Sequence, residues 1–186
     1  MTHITDTIRS GIISYFQKTD LKKLGVVNGN TQAAERILIG HLEKLFTDLN
    51  VTYTKAGSQQ PRDFRNINNT DKHLEVKIVT NKFKIIFNDT LPCLDTEYLI
   101  FFTGKLYKKQ EYKPQILLVN GEQFVKESRE WVDEVSKILT DLKDKYCRGN
   151  NKKELCGIMN CYLRPTWSSS IFSFLDRHEF IVYKSN

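Results

Sequence analysis

Residues 73–79 read HLEVKIV, and the reading of this stretch decides the fold. Side chains alternate across an extended strand, so one face carries Leu74, Val76 and Ile78 while the other carries His73, Glu75 and Lys77. The pattern predicts a strand whose apolar face packs and whose polar face is open to react. Backbone geometry then holds a carboxylate beside an ammonium group on a rigid element, as a catalytic pair requires.

Upstream, PRDFRNI (61–67) places Asp63 twelve residues before Glu75. A tight turn through INNTDK (67–72) would fold it back as an antiparallel neighbour of HLEVKIV, so that the two carboxylates converge. Asp63, Glu75 and the carbonyl of Val76 would form half of the oxygen shell of a hard dication such as Mg²⁺. Lys77 would orient a water for attack on phosphorus. Before this pair, VTYTKAGSQ (51–59) reads as a further strand. Residues 32–49 read as a helix with Ala34, Ile37, Leu38, Leu42, Leu45, Phe46 and Leu49 on its apolar face, capped by Asn30 or Thr31. Residues 4–18 form an earlier amphipathic helix through Ile4, Ile8, Ile12 and Phe16, and DLKKLGVVNGN (20–30) is a loop.

Downstream, KFKIIF (82–87) is a strand, NDTLP (88–92) breaks it, and EYLIFFTG (97–104) and QILLVN (115–120) are apolar enough for the interior of a sheet. Residues 123–146 read as a helix through Phe124, Val125, Trp131, Val132, Val135, Ile138, Leu139 and Leu142. Short strands are expected near MNCYL (159–163), SIFSF (170–174) and EFIVY (179–183), with RPTWSSS (164–170) as a loop. These elements predict an α/β fold, a central mixed sheet flanked by helices. Without repeat or linker, residues 1–186 read as one domain, with a core at about 31–146 and a C-terminal region at 147–186.

The combination of PRDFRNI and LEVKIV resembles the PD-(D/E)xK nuclease superfamily, to which many type II restriction endonucleases belong. The family's Pro-Asp is here Pro61-Arg62-Asp63, with one residue between. The likeness continues through FNDTLPCLDTEYLIFF (87–102) and covers about residues 31–119. It implies a restriction-endonuclease-like core, catalysis by Asp63, Glu75 and Lys77, and Mg²⁺ as cofactor with Mn²⁺ able to substitute. It further implies that Glu35, at the edge of the apolar face of the 32–49 helix, is the additional acid that such enzymes often place at the metal. The triplets Asp20-Leu21-Lys22, Glu111-Tyr112-Lys113 and Asp141-Leu142-Lys143 share the acidic-x-Lys pattern but lack this context. In such enzymes the C-terminal region usually varies because it reads the target, so 147–186 is expected to serve recognition or dimerisation.

With 28 Lys+Arg against 22 Asp+Glu, the net charge of +6 favours a polyanionic partner through counterion release. Arg62, Arg65, Lys72, Lys82 and Lys84 surround the acidic site in sequence and suit backbone phosphates, although each is also an ordinary surface charge. Ser58, Gln59 and Gln60 form a polar loop that suits either a phosphate or a simple turn. Asn88-Asp89 either contacts DNA or caps the break before Pro92. Asn160, Arg164, Thr166, Trp167 and the serines Ser168, Ser169 and Ser170 make a polar, aromatic stretch able to read bases, although ordinary loop chemistry is the simpler reading. Cys147, Cys156 and Cys161 match no usual paired zinc spacing; with His178 they are a minor metal candidate, and free thiols are the simpler reading. No signal-peptide pattern or membrane-length apolar run is present, so an intracellular, cytoplasmic protein is expected. The expected function is site-specific cleavage of double-stranded DNA by a two-fold homodimer. The alternatives are a repair or junction-resolving nuclease of the same chemistry, and a non-catalytic DNA-binding subunit of the same fold.

Overall fold

Spacing of apolar residues at i, i+4 and i+8 makes one face of the first helix, and Ile8, Ile12 and Phe16 are all buried there. The computed structural model describes residues 6–24, 31–57, 62–80, 83–88, 91–104, 106–107, 110–147 and 166–184. In chain order the helices are α1 (Asp6–Gln17), α2 (Leu21–Leu24), α3 (Thr31–Asp48), α4 (Gly121–Val125), α5 (Arg129–Cys147) and α6 (Phe172–Leu175). The strands are β1 (Thr54–Lys55), β2 (Phe64–Arg65), β3 (His73–Val79), β4 (Lys84–Asn88), β5 (Thr96–Phe102), β6 (Leu106–Tyr107), β7 (Gln110–Glu111), β8 (Gln115–Asn120), β9 (Thr166–Ser170) and β10 (Ile181–Lys184).

A mixed six-stranded sheet runs in the order β1-β2-β3-β5-β8-β10. β3 and β5 are parallel over seven pairs, from His73↔Thr96 to Val79↔Phe102, and the other neighbours are antiparallel. Helices α1 to α3 cover one face, packing Phe16, Leu38, Leu42 and Phe46 against Phe64, Leu74, Val76, Leu99 and Phe101. On the other face, β4 pairs with β9 as a separate ribbon, and this ribbon, α4 and α6 pack Phe87, Phe124 and Phe174 around Tyr98, Ile100 and Phe102. The fold is therefore α/β with a mixed central sheet flanked by helices. Among the described residues no helix is long and apolar enough to cross a membrane.

Several local expectations change. The polar side of β3 is not an open face, because Val79 on that side is fully buried and Glu75 and Lys77 are half-buried. The ribbon covers it. Leu21 and Leu24 are buried three apart, so one helical turn replaces part of the expected 20–30 loop. Ile171, Phe174 and Leu175 are buried at i, i+3 and i+4, the spacing of a helix, so SIFSF is not a strand. Thr166–Ser170 leaves the expected loop because β4 offers it an unpaired edge. The 123–146 helix divides into α4, a 3-10 turn at Lys126–Ser128, and α5. Asn120 starts α4 two residues early by accepting the Glu122 N–H, and the break leaves Trp131 and Ile138 exposed while Val132 is buried. Gly121 is required there, since an added Cβ would lie 1.9 Å from the Cys93 carbonyl oxygen. Ile4, Asn30 and the MNCYL segment lie outside the described residues.

β2 is anchored by Phe64, fully buried with its ring 5.1 Å from Phe46 and 4.9 Å from Tyr53. Phe64→Ala is expected to lower stability in chemical denaturation by about 3–5 kcal/mol. Ile138→Ala, on the exposed side of α5, should cost no more than about 0.5 kcal/mol.

Candidate functional site

The turn that returns β2 to β3 needs left-handed backbone, and Asn66, Asn68 and Asn69 supply it at φ of 51°, 52° and 59°. Asparagine tolerates this region better than most side chains. The hairpin is short on its ladder: β2 pairs with β3 only at Phe64↔Leu74. Beyond that point the strands part, and the donor left on β3 is the Val76 N–H. Asp63 takes it, its Oδ2 accepting at 2.7 Å. Val76 thus meets Asp63 through its N–H, while its side chain is buried in the core.

Glu75 is held on both oxygens. Lys77 Nζ donates to Oε1 at 2.5 Å, and the backbone N–H of Arg62 donates to Oε2 at 2.5 Å. Lys77 also lies with its Nζ 5.7 Å from the centre of the Phe87 ring, which ties the site to the ribbon. Glu35, on α3, feels the charges of both Lys77 and Glu75. Four side chains from α3, β3 and the approach to β2 thus share one electrostatic neighbourhood.

The acids are crowded. Burial is the first cause that pushes the Asp63 carboxyl up to about 7; the charges of Glu75 and Glu35 add to it, and the Val76 N–H and Lys77 oppose it. Burial also raises Glu35, with Lys77 opposing and Glu75 reinforcing. A buried acid of this kind is stabilised by a cation. Among the described residues no three His, Cys, Asp or Glu side chains are grouped to hold an ion by themselves. A hard dication needs only one or two carboxylates, the rest being water and substrate oxygen, and Asp63 with Glu75 fits that requirement.

Arg62 bends the chain into this site at φ 69°, a strained conformation for a non-glycine residue that costs about 1–3 kcal/mol. Its guanidinium does not face outward as expected for a phosphate contact. Nη2 reaches both carboxylate oxygens of Asp95, at 3.0 and 2.9 Å, and Nε is buried without an acceptor among the described residues. Asp95 also accepts from the Thr96 hydroxyl at 2.9 Å. His73 is buried nearby, its Nδ1 accepting the Asn66 N–H at 3.1 Å, and burial followed by the Arg62 charge holds it below the usual imidazole range.

The other expected DNA contacts divide three ways. Lys84 and Ser168 are exposed on the ribbon, whose register pairs Lys84↔Ser170, Ile86↔Ser168 and Asn88↔Thr166. Asn88 and Trp167 are placed in the ribbon by their backbone, Trp167 opposite Phe87. Arg65 is half-buried, its Nη2 3.5 Å from the Lys55 carbonyl. Ser58, Gln59, Gln60, Lys82, Arg164, Cys156 and Cys161 lie outside the described residues. Asp95 belongs to no motif, and its only sequence signal is an acid immediately ahead of the apolar strand that pairs with β3.

Compared with known proteins, the chain matches no family model, no curated protein and no solved structure.

Because the folded value of Asp63 lies above its ordinary 3.8, the fold favours its protonated form, and that stabilisation is lost as pH rises through about 7. The unfolding midpoint of the metal-free protein should therefore fall between about pH 5 and about pH 8. Asp63→Asn should flatten this dependence and be the more stable form at the alkaline end. Mg²⁺ added there should raise the wild-type midpoint and leave that of Asp63→Asn nearly unchanged.

Proposed function

We propose that the chain is a Mg²⁺-dependent nuclease of the PD-(D/E)xK type, hydrolysing phosphodiester bonds of double-stranded DNA, with a type II restriction endonuclease as the leading form. The observation that carries this reading is the meeting of Asp63, Glu75 and Lys77 where β2 and β3 part, within electrostatic reach of Glu35. Glu75 and Lys77 are neighbours on one face of β3, whereas Asp63 comes from the segment ahead of β2, so its arrival beside them is not a consequence of sequence proximity.

Each group has a role set by its chemistry. Asp63 and Glu75 would hold the dication, which supplies charge neutralisation at the phosphate and polarises it for attack. Two unneutralised carboxylates would repel each phosphate charge by about 1 kcal/mol per pair at 4 Å in water, and by about 4 at an effective dielectric of 20. Lys77 now serves as the counter-ion of Glu75. With Glu75 neutralised by a bound dication, Lys77 would be free to orient the attacking water and to stabilise negative charge on it as its proton passes to solvent. Glu35, half-buried on α3, adds a further acid within reach of the charges of Asp63, Glu75 and Lys77. The ribbon lies next to Lys77 through Phe87 and carries exposed Lys84, Ser168 and Ser170, positions suited to a phosphate backbone or a groove. Cutting both strands of a palindromic target is most simply done by a two-fold homodimer, whose axis matches the dyad of the DNA.

The test is digestion of a mapped linear duplex with Mg²⁺. Discrete fragments are expected, with cleavage reduced about 100-fold or more by Lys77→Ala or Asp63→Ala while DNA binding is largely kept. Retention of DNA binding by wild-type protein that cleaves neither linear nor branched DNA would overturn the nuclease reading.

A further inference from the structure

The strained turn at Arg62 is not imposed by pairing with β3. β2 is two residues long and shares one pair with β3, so that ladder ends before it reaches Asp63, while on the opposite side the Asp63 carbonyl still accepts the Ala56 N–H at 3.1 Å. On the β3 side, side chains hold the segment ahead of β2 instead. The Arg62 backbone N–H lies on Glu75, the next residue places its carboxylate on Val76, and the Arg62 guanidinium reaches away to Asp95. Asp95 is itself fixed to the frame that carries Glu75. Its carbonyl accepts the His73 N–H at 3.3 Å at the start of β3, and β5 begins at the next residue, in continuous register with β3.

We propose that Asp95 is a positioning residue for the ion-binding carboxylates, acting through Arg62; this rests on the nuclease reading above. The Arg62–Asp95 ion pair has two effects. It holds the left-handed turn that sets Asp63 and the Arg62 N–H against β3, and it draws a guanidinium away from Glu75, to which its own backbone is bonded. Without Asp95, the turn relaxes toward ordinary backbone and the freed cation competes with a dication for the same acids. Groups that orient metal ligands typically change affinity or activity by about 10- to 100-fold when removed.

Mn²⁺ serves as the probe because its binding is read by spin resonance without any substrate. Asp95→Ala should weaken Mn²⁺ binding by about 10- to 100-fold, with the far-ultraviolet circular dichroism unchanged. In cleavage it should lower kcat and leave the KM for duplex nearly unchanged. Asp95→Asn, close in shape, should lose less and serves if the alanine variant does not fold. Arg62→Gly added to Asp95→Ala should recover most of the Mn²⁺ affinity, because glycine adopts this φ without strain and the loose guanidinium is gone. Wild-type Mn²⁺ affinity in both Asp95 variants overturns the proposal, as does a double variant no better than Asp95→Ala. If the wild type binds Mn²⁺ but cleaves no DNA, the nuclease reading fails, while the affinity series still decides the role of Asp95. A wild type that takes up no Mn²⁺ overturns both.

Discussion

The bond from the Val76 N–H to the Asp63 carboxylate is the contact on which the rest of the site depends. A strand that loses its neighbour exposes backbone donors, and in a partly buried position those donors need an acceptor. Here the acceptor is an acidic side chain from the departing strand. Satisfying the backbone therefore brings an acid to the middle of the Glu75-Val76-Lys77 triplet, and a local requirement of the fold and the assembly of the site become one event.

Rigidity around that contact comes from burial on both sides of the sheet. Phe64, Leu74 and Val76 are locked beneath α1 to α3, and Val79, Ile100 and Phe102 beneath the ribbon and α6. The strand on which Glu75 and Lys77 stand cannot shift without disturbing one of these cores. Their crowding raises Asp63 and Glu35, and the left-handed backbone at Arg62 adds strain. Crowded acids and strained backbone together are the arrangement of a site that gains from an incoming cation.

The β4–β9 ribbon joins two parts of the chain far apart in sequence and lays them over the Glu75 side of the sheet. It closes the face that alternation alone would leave open. It also exposes Lys84 and Ser168, while the centre of its Phe87 ring lies 5.7 Å from Lys77 Nζ.

Much was legible from the residues in order. Alternation in HLEVKIV located β3 and the adjacency of Glu75 and Lys77, and the apolar spacing of residues 32–49 located α3, because both signals arise within one element. Turn chemistry in INNTDK indicated that Asp63 folds back. Only tertiary structure decided that β4 leaves the main sheet for β9, that SIFSF coils into a helical turn, and that Arg62 points at Asp95 instead of outward. The reason is common to all three. Each depends on a partner distant in sequence, and a periodicity reports which side of an element is apolar without reporting what will cover it.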